Sequence, residues 1–225
     1  DKPTRALEAL TRRSPAAVWL LFGSLEPMQR WFLRADIPCI VVGSCVNELP
    51  LPSVDINHRA VCRHAGALLR RKGHRHIAFV RPVGEFGGDT ESEEGLREAL
   101  VDGAGTKLHV LRHNGTPGHL CSLLDRVEKQ PQAPTAFLVA RALHALTVVT
   151  HLLQKGRRIP RDVAVISRDD DLFLAHAIPV VTRYASSPLL FARKLCHVIR
   201  QMADGAAPPK QAIRLMPTLI AGESV

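Results

Sequence analysis

The strongest constraint in this sequence is an alternation. Short unbroken apolar runs are separated by segments whose apolar residues recur at helical spacing. Residues 16–22, Ala16-Ala17-Val18-Trp19-Leu20-Leu21-Phe22, offer no polar side chain to solvent and end at Gly23-Ser24. Such a run predicts a strand covered on both faces, the kind that parallel sheets with crossover helices contain. Residues 26–35 predict a short helix with Met28, Trp31 and Phe32 on one side. Residues 37–43 predict a second buried strand, with Pro38 tolerated near its start.

The pattern continues along the chain. In residues 59–71 the positions Val61, Cys62, Ala65, Leu68 and Leu69 form one face of a helix, and Gly73 is placed to cap it. Strands are predicted at 76–80, 107–111, 135–139 and 163–166, and helices at 92–101 and 120–127. A further helix carries Leu143, Leu146, Val149 and Leu153 and ends at Gly156; a last one spans 188–202. Residues 205–209 break the chain before the apolar 213–216. Strand and helix alternating over short connections predict an α/β fold with parallel sheets and right-handed crossovers.

The net charge of +9 raises a nucleic-acid role, but the basic residues are spread along the chain. The densest run, Arg70-Arg71-Lys72-Gly73-His74-Arg75-His76, falls where a helix should end. It reads either as cations complementing a helix dipole or as a phosphate-binding patch. Aromatic residues are 4% of the chain, which gives no evident stacking platform for bases. No stretch is apolar enough for a membrane span, and residues 1–5 lack the layout of a secretory signal.

The five cysteines, Cys39, Cys45, Cys62, Cys121 and Cys196, are odd in number and form no CxxC pair. They read as buried or half-buried free thiols in a reducing cytoplasm. The eleven histidines include His74/His76 and His109/His113, but no HExxH order. GxSxG, P-loop and GxGxxG motifs are also missing, so neither an enzyme, a metal site nor a cofactor is expected.

Several phrases, in order, resemble the effector-binding region of lactose-repressor-type (LacI/GalR) regulators. They are IPCIVVG at 37–43, LPSVDIN at 51–57, KGHRHIAFV at 72–80 and EGLREAL at 94–100. They continue with PTAFLVA at 134–140, GRRIPRDVAVISRDD at 156–170, IPVVT at 178–182 and the closing Met216-Pro217 to Ser224. The resemblance covers residues 16–225. It implies two Rossmann-like lobes of periplasmic-binding-protein type I, holding a sugar or similar small effector between them. Residues 1–56 plus 184–210 are expected in one lobe, and 57–183 plus 211–225 in the other.

The resemblance also implies a strand, a helix and a second strand ahead of Leu7 that this chain does not show, so the first lobe is expected to be N-terminally truncated. The DNA-binding domain that the resemblance implies is expected to be absent from these residues, and its type, lactose-repressor or winged-helix, stays open. The expected partners are the effector, operator DNA through the missing domain, and a second copy of the chain in a homodimer, with no membrane. The competing reading is a solute-binding protein of a sugar transporter; a sugar-modifying enzyme lacks any catalytic set.

By resemblance, Asp169 in Ser167-Arg168-Asp169-Asp170-Asp171 is the leading ligand residue, accepting hydrogen bonds from hydroxyls or ring nitrogens. Its competing reading is one acid of a solvated loop paired with Arg168. Arg141 stands where the family's motif has Asn. Its fork of donors suits a carboxylate, phosphate or diol, although it could instead cap its helix or pair with Asp169 or Asp170. Ser92 stands where many members have Arg, behind a flexible loop holding Asp89 and Glu91; Ser92 either meets ligand or caps a helix. Phe22 stacks on a sugar or joins the core, Ser24 ends the same strand, and Tyr184 and Ser186 lie in the last crossover.

Overall fold

The computed structural model describes residues 4–46, 49–101, 105–209 and 211–225. Asp1, Lys2 and Pro3, part of the N-terminal reading, lie outside the described residues. The chain forms two compact units, residues 1–57, 85–90 and 187–216, and residues 58–84, 91–186 and 217–225.

The first unit is built on four parallel strands, β1 (Trp19–Phe22), β2 (Cys39–Val42), β3 (Ser53–Ile56) and β9 (Ile213–Leu215), in the order β1-β2-β3-β9. The apolar run of β2 is continuous because both faces of the sheet are covered there, whereas β1, expected to be covered on both faces, pairs only with β2 among the described strands and leaves Leu20 and Phe22 exposed. Cys39 and Val41 pack with Leu7, Leu21 and Phe32, from α1 (Thr4–Arg13), β1 and α2 (Glu26–Arg34). Ile40 and Val54 pack with Leu195 and Val198 of α7 (Pro188–Ala203) on the opposite face. Successive β2 residues thus serve opposite cores, as a period of two requires. Ser187 caps α7, its hydroxyl accepting from the Leu190 amide.

Several segments differ from their expected positions: residues 57 and 85–90 belong to the first unit, and residues 184–186 to the second. Residues 211–216 join the first unit, because β9 pairs parallel with β3 in the register Val54↔Ile213.

The second unit contains a six-stranded sheet in the order β10-β8-β7-β6-β4-β5. Its members are β4 (His76–Pro82), β5 (Lys107–His113), β6 (Ala136–Val139), β7 (Ala164–Ser167), β8 (Thr182–Ala185) and β10 (Thr218–Ile220). All neighbours are parallel except β10 and β8. On one face, Ala78, Val80, Phe137, Val139 and Val165 meet α5 (Pro117–Glu128) and α6 (Ala142–Gln154) through Leu120, Leu124, Val148 and Leu152. The other helices are α3 (His58–Arg71) and α4 (Gly87–Leu100). They approach closely at glycines: a Cβ on Gly66 would lie 2.7 Å from Leu96, and one on Gly95 2.0 Å from the Arg59 carbonyl oxygen.

Element ends depart from the predicted ones where hydrogen bonding, rather than apolarity, sets them. β4 and β5 run on through polar residues to Pro82 and His113 because each pairs with its neighbour to that point. Helix α4 begins at Gly87, well before the predicted position 92. Gly73 does end α3, at φ +94°, with the His74 amide donating to the Leu69 carbonyl. Arg70, in the basic run, donates from Nη1 to the Ala99 carbonyl oxygen at 2.6 Å. Near the other end of the chain, Ser224 is fully buried: it accepts from the Thr182 amide and donates to the Val165 carbonyl, tying β7 to β8.

All five cysteines are free, and Cys39 and Cys62 are buried. Burial pushes the Cys39 thiol up to about 12, leaving it an unreactive core residue. Cys196 is exposed on α7, contrary to the reading of all five as covered. Among the described residues no helix is long and apolar enough to cross a membrane.

Candidate functional site

In an open parallel sheet, polar groups for a ligand collect at the carboxyl ends of the strands, near the point where connections leave in opposite directions. Here that point lies between β4 and β6, because the chain passes from β4 outward to β5 and returns to the other side for β6. Two loops at this edge, after β6 and β7, carry an arginine each.

Arg141 follows β6 as the residue capping α6, with extended backbone (φ −128°, ψ 135°) and no capping bond from its side chain. Its Nη1 donates to the Ala140 carbonyl at 3.3 Å and lies 3.8 Å from Asp169 Oδ2. Arg168 follows β7 and is 4% exposed. Its Nε donates to Asp169 Oδ1 at 3.0 Å, and its Nη1 donates to the Ser92 hydroxyl of α4 at 2.7 Å. The Ser167 hydroxyl donates to the Asp169 carbonyl oxygen at 2.6 Å, which holds the turn.

The result is a one-third-exposed carboxylate between two guanidinium groups. A carboxylate so placed can accept hydrogen bonds from hydroxyls while Arg141 offers donors to a neighbouring acceptor. Asp170 turns away to a 2.5 Å ion pair with Arg183, and Asp171 is exposed.

The structure brings Asp169, Arg141 and Ser92 into one hydrogen-bonded and ion-paired chain through Arg168. Capping is not the role of Ser92: it lies within α4, fully buried, because the helix starts at Gly87. Arg141 does occupy the capping position of α6, but through its backbone geometry alone. Glu91 precedes Ser92 on α4 and is half-buried; Asp89 is buried in the first turn and belongs to the first unit.

Phe22 and Ser24 also belong to the first unit. Phe22 is 67% exposed at the end of β1, so it is no core aromatic. Ser24 is buried and its hydroxyl accepts from Gln29 Nε2 at 3.0 Å. Tyr184 is 4% exposed, its hydroxyl 2.7 Å from His64 Nδ1, and burial raises its pKa. Ser186 is exposed just beyond β8.

A cavity of about 400 Å³ in the first unit lies elsewhere, at the amino end of β2, lined by Phe32, Ile37, Cys39, Leu51 and Met202. Among the described residues no group of three or more His, Cys, Asp or Glu side chains is placed to hold a metal ion.

The periplasmic binding protein-like domain matches this chain over residues 67–225. The chain belongs to that family. Relatives of this periplasmic binding protein-like chain include the transcriptional regulator CelR of Thermobifida fusca, 26% identical over 88% of this chain and 60% of CelR. Catabolite control protein A of Streptococcus mutans is 27% identical over 70% of this chain and 47% of its own. The chain therefore spans about half to three-fifths of the length of these curated relatives.

Among solved structures, the CelR–cellobiose complex superimposes with a TM-score of 0.86 at 24% identity, covering 99% of this chain and 70% of the other. A LacI-family regulatory protein from Chloroflexus aggregans gives 0.84 at 21% identity, covering 99% and 82%. The expected two-unit α/β fold holds, and so does the resemblance to LacI/GalR effector-binding regions. CelR is an HTH-type transcriptional regulator.

For this member of the periplasmic binding protein-like family, sequence reasoning misses Arg168 as a residue of the site. Arg168 was visible only as a neighbour of three acids. The signal for it lay in strand alternation: residues 164–167 are an unbroken buried strand, and position 168 continues it into a covered place where a charge needs partners. Outside that constellation, Arg81 lies 6% exposed on the part of β4 that runs beyond the predicted end at Val80.

Proposed function

We propose that this chain is the ligand-sensing domain of a bacterial transcriptional regulator of LacI/GalR type, and that it binds a sugar or similar polyhydroxylated molecule. The observation that carries the reading is the Asp169 carboxylate held between Arg141 and Arg168 at the carboxyl edge of the second sheet. An ionised acceptor beside a guanidinium fork suits adjacent hydroxyl groups, which donate and accept together. The kinship with CelR, and the cellobiose in its solved complex, support a sugar over other polar ligands. That CelR is a regulator supports this reading over a transporter's binding protein.

In the whole protein, ligand binding would shift a cytoplasmic homodimer between states of different operator affinity. The test is a calorimetric screen of mono- and disaccharides, sugar acids and purines against the full-length protein. One of them should bind saturably, and Asp169→Ala should weaken it at least about tenfold, the loss of one charge-assisted hydrogen bond. Unchanged affinity in that variant would remove Asp169 from the site. An operator-binding assay with and without the ligand, and light scattering for the dimer, test the remainder.

A further inference from the structure

A second cationic cluster lies in the same unit, on the covering side of α4, and takes no part in the Asp169 constellation. Arg81 and Arg112 are register partners on the parallel strands β4 and β5. Glu93 of α4 lies 3.6 Å from Arg81 Nε and 2.9 Å from Arg112 Nη2, while its other oxygen is 2.7 Å from Nη2 of Arg97, one turn along the helix. Three guanidinium groups therefore share one carboxylate.

Their exposures differ in an informative way. The side chain of Arg81 is 7% exposed and that of Glu93 14%, whereas Arg112 and Arg97 are 49% and 58% exposed. Arg81 Nη1 donates to the Gly84 carbonyl at 2.9 Å, but its buried Nε, beyond hydrogen-bonding distance of Glu93, has no hydrogen-bond partner among the described residues. A buried guanidinium with an unused donor is costly unless something supplies an acceptor. The cluster therefore has an inner wall of covered charge, two exposed outer arms, and one negative charge among three positive ones.

We propose that Arg81, Arg97 and Arg112 form an anion site that takes a phosphate group, with Glu93 holding the arginines in place and limiting affinity. Tetrahedral oxyanions match this arrangement because planar guanidinium forks donate in pairs to their oxygens. The phosphate is either the free ion or the ester group of a phosphorylated metabolite; the chemistry of recognition is shared. The site stands independently of the ligand reading at Asp169.

The experiment is calorimetry in phosphate-free buffer with inorganic phosphate, a hexose phosphate and the neutral parent hexose as probes. The expected result is saturable phosphate binding that Arg112→Gln and Arg97→Gln each weaken about tenfold, while Arg126→Gln, an exposed arginine of α5, leaves it unchanged. Glu93→Gln should tighten phosphate binding, because it removes the competing charge; a purely structural ion-pair network would give no such gain.

A hexose phosphate that binds more tightly than free phosphate identifies the ester as the source, and equal affinities identify the ion. The proposal is overturned if neither the wild type nor Glu93→Gln binds phosphate. It also fails if Arg126→Gln costs as much as Arg112→Gln, or if the neutral hexose competes at this cluster as well as its phosphate. Circular dichroism of each variant establishes that a loss of binding is not a loss of fold.

Discussion

The Arg168 guanidinium donates to the hydroxyl of Ser92 at 2.7 Å, although 76 positions separate them in the chain. Both side chains are buried, so the bond fixes the loop after β7 against the middle of α4. Ser92→Ala removes one acceptor from a covered charge and should cost about 1–3 kcal/mol. Urea unfolding measures it; a change under about 0.5 kcal/mol would mean that Arg168 is held by its other contacts alone.

Gly95 admits no side chain. A Cβ there would stand 2.0 Å from the Arg59 carbonyl oxygen, and backbone cannot swing aside as a flexible side chain can. Gly95→Ala should destabilise the protein by at least the roughly 1–3 kcal/mol typical of overpacking. A thermal midpoint equal to the wild type would contradict this close approach of α3 and α4.

Phe22 gives the opposite expectation. Its ring is 67% exposed at the end of β1, so Phe22→Ala should leave stability within about 0.5 kcal/mol of the wild type. If the ring stacks on the sugar, the same variant weakens ligand binding without moving the unfolding midpoint. A large loss of stability would instead place the ring in a core.

Three histidines make stability depend on pH. Burial, and then Lys72, lowers the pKa of His74; burial, and then Lys107 and His76, lowers that of His109; burial, and then Arg141, lowers that of His144. A folded-state pKa below the unfolded value of about 6.5 means that the unfolded chain takes up more protons as the solution is acidified. The stability these groups preserve is present above about pH 6.5 and is lost as pH falls toward their folded values. The urea midpoint should therefore drop between about pH 7.5 and 5.5, and His109→Gln should flatten the drop. A midpoint constant over that range would show that these rings remain solvated.

The strands were legible where both faces are apolar, as at Ile40 and Val41, because covering on two sides leaves no polar position. Their ends were not. β4 gains Arg81 and Pro82, and β5 gains Arg112 and His113, by pairing with each other, and no single strand announces its partner. Asp169 was legible by resemblance, whereas the bond joining Arg168 to Ser92 depends on how α4 lies over β7. Tyr184 was readable as a crossover residue, yet its hydroxyl is taken by His64, a contact between distant segments that spacing cannot reveal.

The pairing of β3 with β9, and the Ser224 tie between β7 and β8, bear on how the chain matures. Neither unit is one continuous stretch, so neither is complete until late in synthesis. On the ribosome, the edge of β3 waits for Ile213, and the Thr182 amide waits for Ser224, while the intervening chain is still being made. Contacts between such distant positions slow folding and lengthen the time that apolar strand edges stay open to other chains. Yield on expression should therefore respond to chaperone supply and growth temperature more than to any substitution on the surface.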